Sequence, residues 1–336
     1  MKKIKMLIVF LSFSFYGFSQ QIHSPAEIYK IMNDSKLSYD IKVLDKSIEC
    51  KDLSDKLNYH NCYRVSTDSG LFTYKITVND QAKPLFDKAE SFFQTTTNAD
   101  SSLVYYKMAL TVDSSLYNVI TYIGQIYEQK GDVENAIIWY KKAIHKNYID
   151  YMAHWFLADA YSAKGDIKNA VDEIVIAQIL NRNNPRIKKA MINIFEKAKR
   201  NTEDWCFNPQ MELTKISDNK VSIAITDKWI GYSIAKAVWT YEPGYRESMG
   251  VSQGQYSTIE DKECLYSLLV GLENAKIKIK KEPQLRILKE AAENKHLEDY
   301  IMYEIVLPQT PFVAFQLPEQ SILDIKEYIL NIRNSK

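Results

Sequence analysis

The sequence predicts a mainly α-helical protein. A short α-solenoid of about three helical hairpins and one closing helix stands between a small N-terminal α+β element and a C-terminal α+β domain. Two observations predict this fold class. A 34-residue pattern is repeated in direct succession across residues 117–184, and alternating apolar residues, which are typical of strands, occur on both sides of the repeats. The predicted division is a leader at residues 1–20, an α+β element at 21–80, the helical repeats at 81–200 and the C-terminal domain at 203–336.

Apolar and small residues recur at the same positions of the two copies, and both copies turn at Lys-Gly-Asp. Gly in the turn ends the first helix in a left-handed conformation, and Asp begins the second helix. The pattern is carried by Ile123, Gly124, Tyr127, Ala136, Tyr140 and Ala143 in one copy and by Leu157, Ala158, Tyr161, Ala170, Ile174 and Ala177 in the other. It resembles the tetratricopeptide repeat, in which small residues at positions 8, 20 and 27 let two antiparallel helices approach closely.

Two weaker copies extend the resemblance to residues 83–200. Residues 83–116 keep the aromatic positions, but Glu90 and Ser102 replace two of the small residues. Pro185–Arg200 keeps only the first helix and carries several lysines around its apolar side. A helix of that kind is typical of a polar cap on a repeat array.

In tetratricopeptide repeats the first helix of each hairpin lines a groove, so the resemblance implies a binding face for a protein or peptide partner. The residues implied to face this groove are Asn118, Thr121, Gln125 and Glu128 in one repeat, and Met152, Trp155, Asp159 and Ser162 in the next. The Lys, Asn and Arg residues with which some members hold a terminal carboxylate are replaced here, so that ligand type is not implied. The alternative is that a flanking region of the chain fills the groove, because short solenoids bury little surface alone.

The first twenty residues have the pattern of a secretory signal peptide. Three lysines precede the apolar run Met6–Phe18, and a small-residue segment ends before Gln20 or Gln21. The expected location is therefore the periplasm or cell envelope, with no membrane span after cleavage; an uncleaved leader would tether the protein to the membrane. The run is shorter than the roughly 20 residues that span a bilayer.

The charge balance and the cysteines limit the function further. With 43 basic and 42 acidic side chains, the chain lacks the net positive charge of a nucleic-acid-binding protein. In an oxidising compartment a local Cys50–Cys62 disulfide is one interpretation, a Cys206–Cys264 disulfide is a second, and four free thiols are the alternative. Cys50, His60 and Cys62 match no zinc spacing, so no metal site is expected.

The flanking regions show helix and strand signals but resemble no family. Lys276–Lys281 alternates Lys with apolar residues and is interpreted as a solvated edge strand, with an anion-binding segment as the alternative. Helices are predicted over Pro25–Asn33, Trp229–Tyr241, Ser257–Asn274, Pro283–His296 and Ile322–Ile332, and strands over Tyr39–Val43, Cys62–Val65, Phe72–Val78, Val221–Ile225, Ile301–Leu307 and Phe312–Phe315.

One cluster in the C-terminal domain suggests a small-ligand pocket, in which a Glu could act as acid or base and an Arg could hold an anion. Its members are Trp239, Tyr241, Glu242, Tyr245 and Arg246. The alternative is a helix end whose aromatic residues cover the core while the charged residues face water. The chain has none of the nucleotide-binding, hydrolase or metalloprotease motifs, so no cofactor is expected and a non-catalytic role is favoured.

The leading hypothesis is therefore an exported interaction scaffold that binds a protein or peptide partner in its groove. A second hypothesis makes the C-terminal domain an envelope enzyme or small-ligand-binding module, with the repeats as a docking arm. A structural envelope component with no single ligand is the third.

Overall fold

The computed structural model describes residues 22–58, 61–68, 70–94, 98–252 and 256–335. The predicted leader lies outside these residues. The strands are β1 Ser38–Val43, β2 Cys62–Thr67, β3 Gly70–Lys75, β4 Met211–Ser217 and β5 Lys220–Ile225. The helices before β4 are α1 Pro25–Asp34, α2 Lys83–Gln94, α3 Ala99–Val112, α4 Tyr117–Gln129, α5 Val133–Lys146, α6 Tyr151–Ala163, α7 Ile167–Leu180 and α8 Pro185–Lys197. Those after β5 are α9 Ile230–Tyr241, α10 Tyr245–Ser248, α11 Thr258–Asn274, α12 Pro283–Glu293, α13 Leu297–Tyr300, α14 Leu307–Gln309 and α15 Glu319–Tyr328.

The chain folds into two compact units whose boundaries differ from the predicted ones. Among the described residues, one unit joins 22–43 to Glu212–Gly271, and the other joins Leu44–Met211 to the chain after Gly271. The predicted element at 21–80 is therefore divided between the two units, and so is the predicted domain at 203–336. The reason is a strand pair that is distant in sequence, because β1 lies parallel to β5.

The first unit is built around a three-stranded sheet of order β1-β5-β4. Each residue of β5 from Val221 to Ile225 is buried, and α9 packs against this strand. α1 packs in turn against α9. The predicted capping box starts α1: Ser24 Oγ accepts from the Glu27 backbone N–H at 3.3 Å, and Glu27 Oε2 accepts from the Ser24 N–H at 2.7 Å.

The second unit contains the predicted hairpins, α2–α3, α4–α5 and α6–α7, followed by α8. The turns of the last two hairpins form as predicted. Gly131 and Gly165 adopt φ of 77° and 80°, a left-handed conformation that favours Gly. The next residue caps the second helix in each case: Asp132 accepts from the Asn135 N–H at 3.1 Å, and Asp166 accepts from the Asn169 N–H at 3.3 Å.

One contact explains the small residue at position 8. A Cβ built on Gly124 of α4 would lie 2.5 Å from Cε1 of the Tyr140 ring on α5, so this ring occupies the space that only Gly leaves free. The next repeat holds Ala158 at the same position and Ile174 opposite, both buried. Where position 8 holds the larger Ala instead of Gly, the facing residue of the second helix is therefore the smaller Ile instead of Tyr.

The first hairpin also has a large ring on its second helix, but the facing residue at position 8 is not small. Its position 8 is Glu90, and the carboxylate accepts a hydrogen bond from the hydroxyl of the buried Tyr106. Its other irregular residue, Ser102, is fully buried and donates to the Ala89 carbonyl at 3.0 Å. Both departures from the repeat pattern are polar groups that find hydrogen-bond partners.

The repeat period is also visible in contacts between hairpins. Lys130 pairs with Asp100 of the preceding repeat, and 34 positions later Lys164 pairs with Glu134. These exposed ion pairs contribute little stability. A second periodic contact places a Lys beside the Tyr of the following repeat, at Lys107–Tyr127 and Lys141–Tyr161.

The C-terminal segment of the second unit differs from its prediction. The alternating residues predicted as strands at Ile301–Leu307 and Phe312–Phe315 form a π-helix, Ile301–Val306, and a 3-10 helix, Pro311–Gln316. Nearly all residues of the π-helix are buried, and a helix that is buried on most sides has no polar face to reveal its period. Lys276–Lys281 forms turns and irregular structure rather than the predicted edge strand.

A buried charge cluster joins this segment to the end of the repeats. Glu304 accepts from Arg333 Nε at 2.7 Å, from Arg182 Nη2 at 3.3 Å and from Tyr328 Oη at 3.0 Å. Glu304 and Arg333 are buried. Burial by itself lowers the pKa of Arg333, but Glu304, Tyr303 and Tyr328 together outweigh this effect and the pKa is raised. Each buried charge therefore has a partner of opposite sign.

The disulfide also differs from the predicted ones. Cys50 bonds to Cys206, 156 residues away, with a Cα–Cα distance of 6.3 Å, whereas Cys62 and Cys264 are free. The Cys50–Cys62 prediction was wrong because Cys62 begins β2, which pairs with β3. The Cys206–Cys264 interpretation was also wrong, because Cys206 bonds to Cys50 and Cys264 is a fully buried free thiol on α11.

The Gly124–Tyr140 contact predicts a context-dependent substitution. Gly124→Ala should lower the free energy of unfolding by about 1–3 kcal/mol, because the new methyl group meets the ring. In a Tyr140→Ile background the same change should be neutral or stabilising, since Ala favours a helix over Gly by about 1 kcal/mol. Urea unfolding of the four proteins of this double-mutant cycle measures the difference. Equal effects in both backgrounds would show that the ring does not set this position.

Candidate protein-binding site

The first helices α4 and α6 carry the eight residues that were predicted to face the groove. The structure divides them into two groups. Asn118 and Thr121 are buried, and Thr121 Oγ1 donates to Asp150 Oδ2 at 2.6 Å. Asp150 also caps α6 by accepting from the Met152 N–H at 3.1 Å. This part of the predicted site therefore stabilises the junction between two hairpins.

The other six residues are partly exposed, and we call them the groove set. They combine an aromatic ring, a thioether, an amide, a hydroxyl and two carboxylates. They are Gln125, Glu128, Met152, Trp155, Asp159 and Ser162.

Side chains outside the prediction hold the groove set in place. Glu128 Oε2 accepts from Tyr140 Oη at 2.6 Å, and Ser162 Oγ accepts from Lys197 Nζ of α8 at 2.8 Å. The Trp155 ring stacks on Phe156, with centroids 5.3 Å apart and 17° between the planes. Tyr140 was predicted only as a core residue, but its hydroxyl gives it a second role in the groove.

The groove set carries an unusual carboxyl. Burial and, to a smaller extent, the neighbouring Glu128 carboxylate raise the pKa of Asp159 to about 6, against the opposing effects of Trp155 and Lys197. Two carboxyl groups of adjacent repeats therefore share one region of the groove, and a cationic ligand group would favour the ionised form of Asp159.

The C-terminal segment of the second unit covers a different helix. α15 and the 3-10 helix Pro311–Gln316 pack against α7, the second helix of its hairpin, and Lys326 Nζ donates to Asp172 Oδ1 at 3.0 Å. The groove-lining helices are α4 and α6. These two segments therefore do not fill the groove, which was the alternative prediction.

Three members of the aromatic cluster of the first unit lie together: the Trp239 and Tyr245 ring centroids are 5.2 Å apart, and Arg246 Cζ lies 5.6 Å from the centroid of the Trp239 ring. Trp239 Nε1 and Tyr245 Oη both donate to Glu263 Oε2, at 2.6 and 2.7 Å, and all three residues are buried. Glu263 also accepts from the His23 backbone N–H at 2.6 Å. In the sequence, this buried network is indicated by Glu263, a charged residue next to Cys264 on the apolar face of a helix.

The charged members of that cluster have different carboxylate or hydroxyl partners, and Tyr241 is partly exposed. Glu242 Oε2 accepts from Tyr39 Oη at 3.0 Å, and Arg246 pairs with Glu260 at 2.5 Å. Trp239, Tyr245 and Arg246 are therefore held together by carboxylates of the chain itself, whereas Glu242 is bound by Tyr39.

Three comparisons with known proteins bear on the identity. The tetratricopeptide repeat family model matches residues 121–144, which run from α4 into α5. With the consecutive hairpins, this match supports the tetratricopeptide repeats predicted from the sequence. Among solved structures it is similar to a tetratricopeptide repeat protein from Parabacteroides merdae, at 13% identity and a TM-score of 0.33 over 74% of this chain and 79% of that chain. This distant likeness supports no functional conclusion, and no curated protein matches the sequence.

The raised pKa of Asp159 predicts a pH-dependent stability. Its folded-state pKa of about 6 lies above the unfolded value of about 3.9, so the folded protein binds the proton more tightly. Ionised Asp159 therefore destabilises the fold progressively as the pH rises from about 4 to about 6, and fully above that. Asp159→Asn should be about 1–2 kcal/mol more stable than the wild type at about pH 8, and the difference should vanish near about pH 4.

Urea unfolding across this pH range measures the effect. Glu128→Gln is the matched variant, because removing the neighbouring charge should move the pH midpoint downward. If Asp159→Asn has the same effect at every pH, the carboxyl is not perturbed by its surroundings.

Proposed function

We propose that this protein is an exported, non-catalytic scaffold of the cell envelope that binds a segment of a partner protein on the groove set. The tetratricopeptide repeats support a protein partner. The observation that carries the proposal is the partial exposure of the groove set on two successive first helices, where Trp155 and Asp159 present an aromatic face and a carboxyl side by side on α6.

The chemistry of the groove set favours a cationic segment with an apolar neighbour. Glu128 and Asp159 supply negative charge, and the raised pKa of Asp159 leaves room for stabilisation by a Lys or Arg of the partner. Trp155 and Met152 supply an aromatic and a soft apolar surface. A Lys or Arg followed by a bulky apolar residue fits both features.

The export part of the proposal has two supports. The first twenty residues have the pattern of a signal peptide. The Cys50–Cys206 disulfide joins the segment before the repeats to the segment after them, and such bonds persist in oxidising compartments. None of the helices in the described part of the chain combines the length and the apolar character needed to cross a bilayer.

A photo-cross-linking amino acid in the groove tests the binding role. Placed at Gln125 in the producing cells, it should give one reproducible adduct, whose attached segment carries Lys or Arg beside an apolar residue. Trp155→Ala should remove the adduct, because the aromatic contact is lost. The matched control is the same amino acid at Gln129, which is exposed on the same helix outside the groove set. An identical adduct from Gln129, or none from Gln125, would contradict the proposal.

Export predicts a defined thiol state and location. Alkylation of protein isolated from the envelope fraction, followed by mass mapping without reduction, should find Cys50 linked to Cys206. Cys62 and Cys264 should react only as free thiols, Cys264 after unfolding because it is fully buried. Four reduced cysteines in a cytosolic protein with an intact leader would be the opposite result.

A further inference from the structure

A second surface of the repeats lies on the second helices α3, α5 and α7. The three residues at positions 22, 26 and 30 of each repeat lie one turn apart on one side of the helix. They are Val104, Met108 and Val112 on α3, Ile138, Lys142 and Lys146 on α5, and Asp172, Ile176 and Leu180 on α7.

On α7 this side is covered by another part of the chain. α15 and the 3-10 helix Pro311–Gln316 pack against α7. Ile176 and Leu180 are buried, and Asp172 is paired with Lys326 of α15. These positions of the repeat can therefore receive an amphipathic helix, with an ion pair at its edge.

On α3 the same positions are apolar and uncovered. Val104 is 54% exposed, Met108 45% and Val112 43%, and Ile138 at the first of these positions on α5 is 59% exposed. Three apolar residues at a four-residue spacing form a continuous stripe on a helix. We call Val104, Met108 and Val112 the α3 stripe.

Two lysines lie beside the stripe, and the carboxylate of Asp100, one turn before Val104, is already paired with Lys130. Lys107 Nζ lies 5.7 Å and Lys142 Nζ 4.4 Å from the centroid of the Trp139 ring. Neither ammonium group forms an ion pair with a carboxylate in the described part of the chain, and Lys146 is exposed on the same side of α5. On α7, by contrast, the repeat supplies the acid and the docked helix supplies the Lys.

We propose that the α3 stripe docks an acidic amphipathic helix of a partner protein, in the way that α7 receives α15. The helix would place its apolar side on Val104, Met108 and Val112 and its carboxylates beside Lys107 and Lys142. A second copy of this chain fits less well, because two stripes facing each other would bring the lysines of both copies together. This surface is separate from the groove set, so it stands independently of the proposed groove function.

The chain itself supplies the test peptide. The probe is a fluorescently labelled peptide of residues 318–333 with Lys326→Glu and Arg333→Glu, which keeps the apolar side of α15 and makes it acidic. Its control is the same peptide without substitutions. Fluorescence anisotropy with the full chain should show at least about tenfold tighter binding of the acidic peptide, because only its charges complement the lysines.

Variants of the protein locate the binding. Met108→Gln with Val112→Gln should weaken binding of the acidic peptide by at least about tenfold, and Lys107→Glu with Lys142→Glu should reverse the preference between the two peptides. Ile216→Gln, an equally exposed apolar residue of β4, and Trp155→Ala in the groove set should leave binding unchanged. Thermal unfolding of each variant confirms that the exposed substitutions preserve the fold.

Four results would overturn the proposal. The acidic peptide could fail to bind, or it could bind equally well to the stripe variant. Binding could instead be lost with Trp155→Ala, which would assign the peptide to the groove. Analytical ultracentrifugation could also show a dimer that Met108→Gln dissociates, which would make a second copy the occupant.

Discussion

The close approach of the two helices in each hairpin is the constraint on which the repeat region depends. In the second hairpin it is set by Gly124 beneath the ring of Tyr140. The same Tyr140 donates its hydroxyl to Glu128, and Glu128 helps to raise the pKa of Asp159 in the next repeat. Core packing and groove electrostatics are therefore linked through one side chain, so the position of a groove carboxylate is determined by a residue whose ring belongs to the core.

The parts of the fold that could be predicted from the sequence are those set by local patterns. The hairpins, their Gly turns and the Asp caps follow from the spacing of residues that are neighbours in the chain. Asp132 and Asp166 cap their helices through backbone N–H groups only three residues away. Interactions between residues this close in the chain are visible as a local sequence pattern. The strands β1 to β3 and β5 were predicted from local alternation for the same reason.

The parts that could not be predicted depend on distant segments. β1 pairs with β5 across more than half the chain, and Cys50 bonds to Cys206, but no local pattern records either partner. The π-helix Ile301–Val306 was mistaken for a strand because its buried residues leave no polar face. In the groove, Thr121 was predicted to face a ligand, yet it donates to Asp150, and that pairing depends on how the next hairpin stacks.

Repeat positions 22, 26 and 30 lie in a different environment on each of the second helices α3, α5 and α7. α7 is apolar on nearly every side and is covered by α15, so its stripe belongs to the core. α5 carries Lys142 and Lys146 where α7 has apolar residues, and this is the substitution expected of a helix that faces water. α3 is neither covered nor polar at these positions, because Met108 and Val112 are apolar and exposed. Since exposed apolar stripes favour association, a helix that only needed to be soluble would resemble α5 rather than α3.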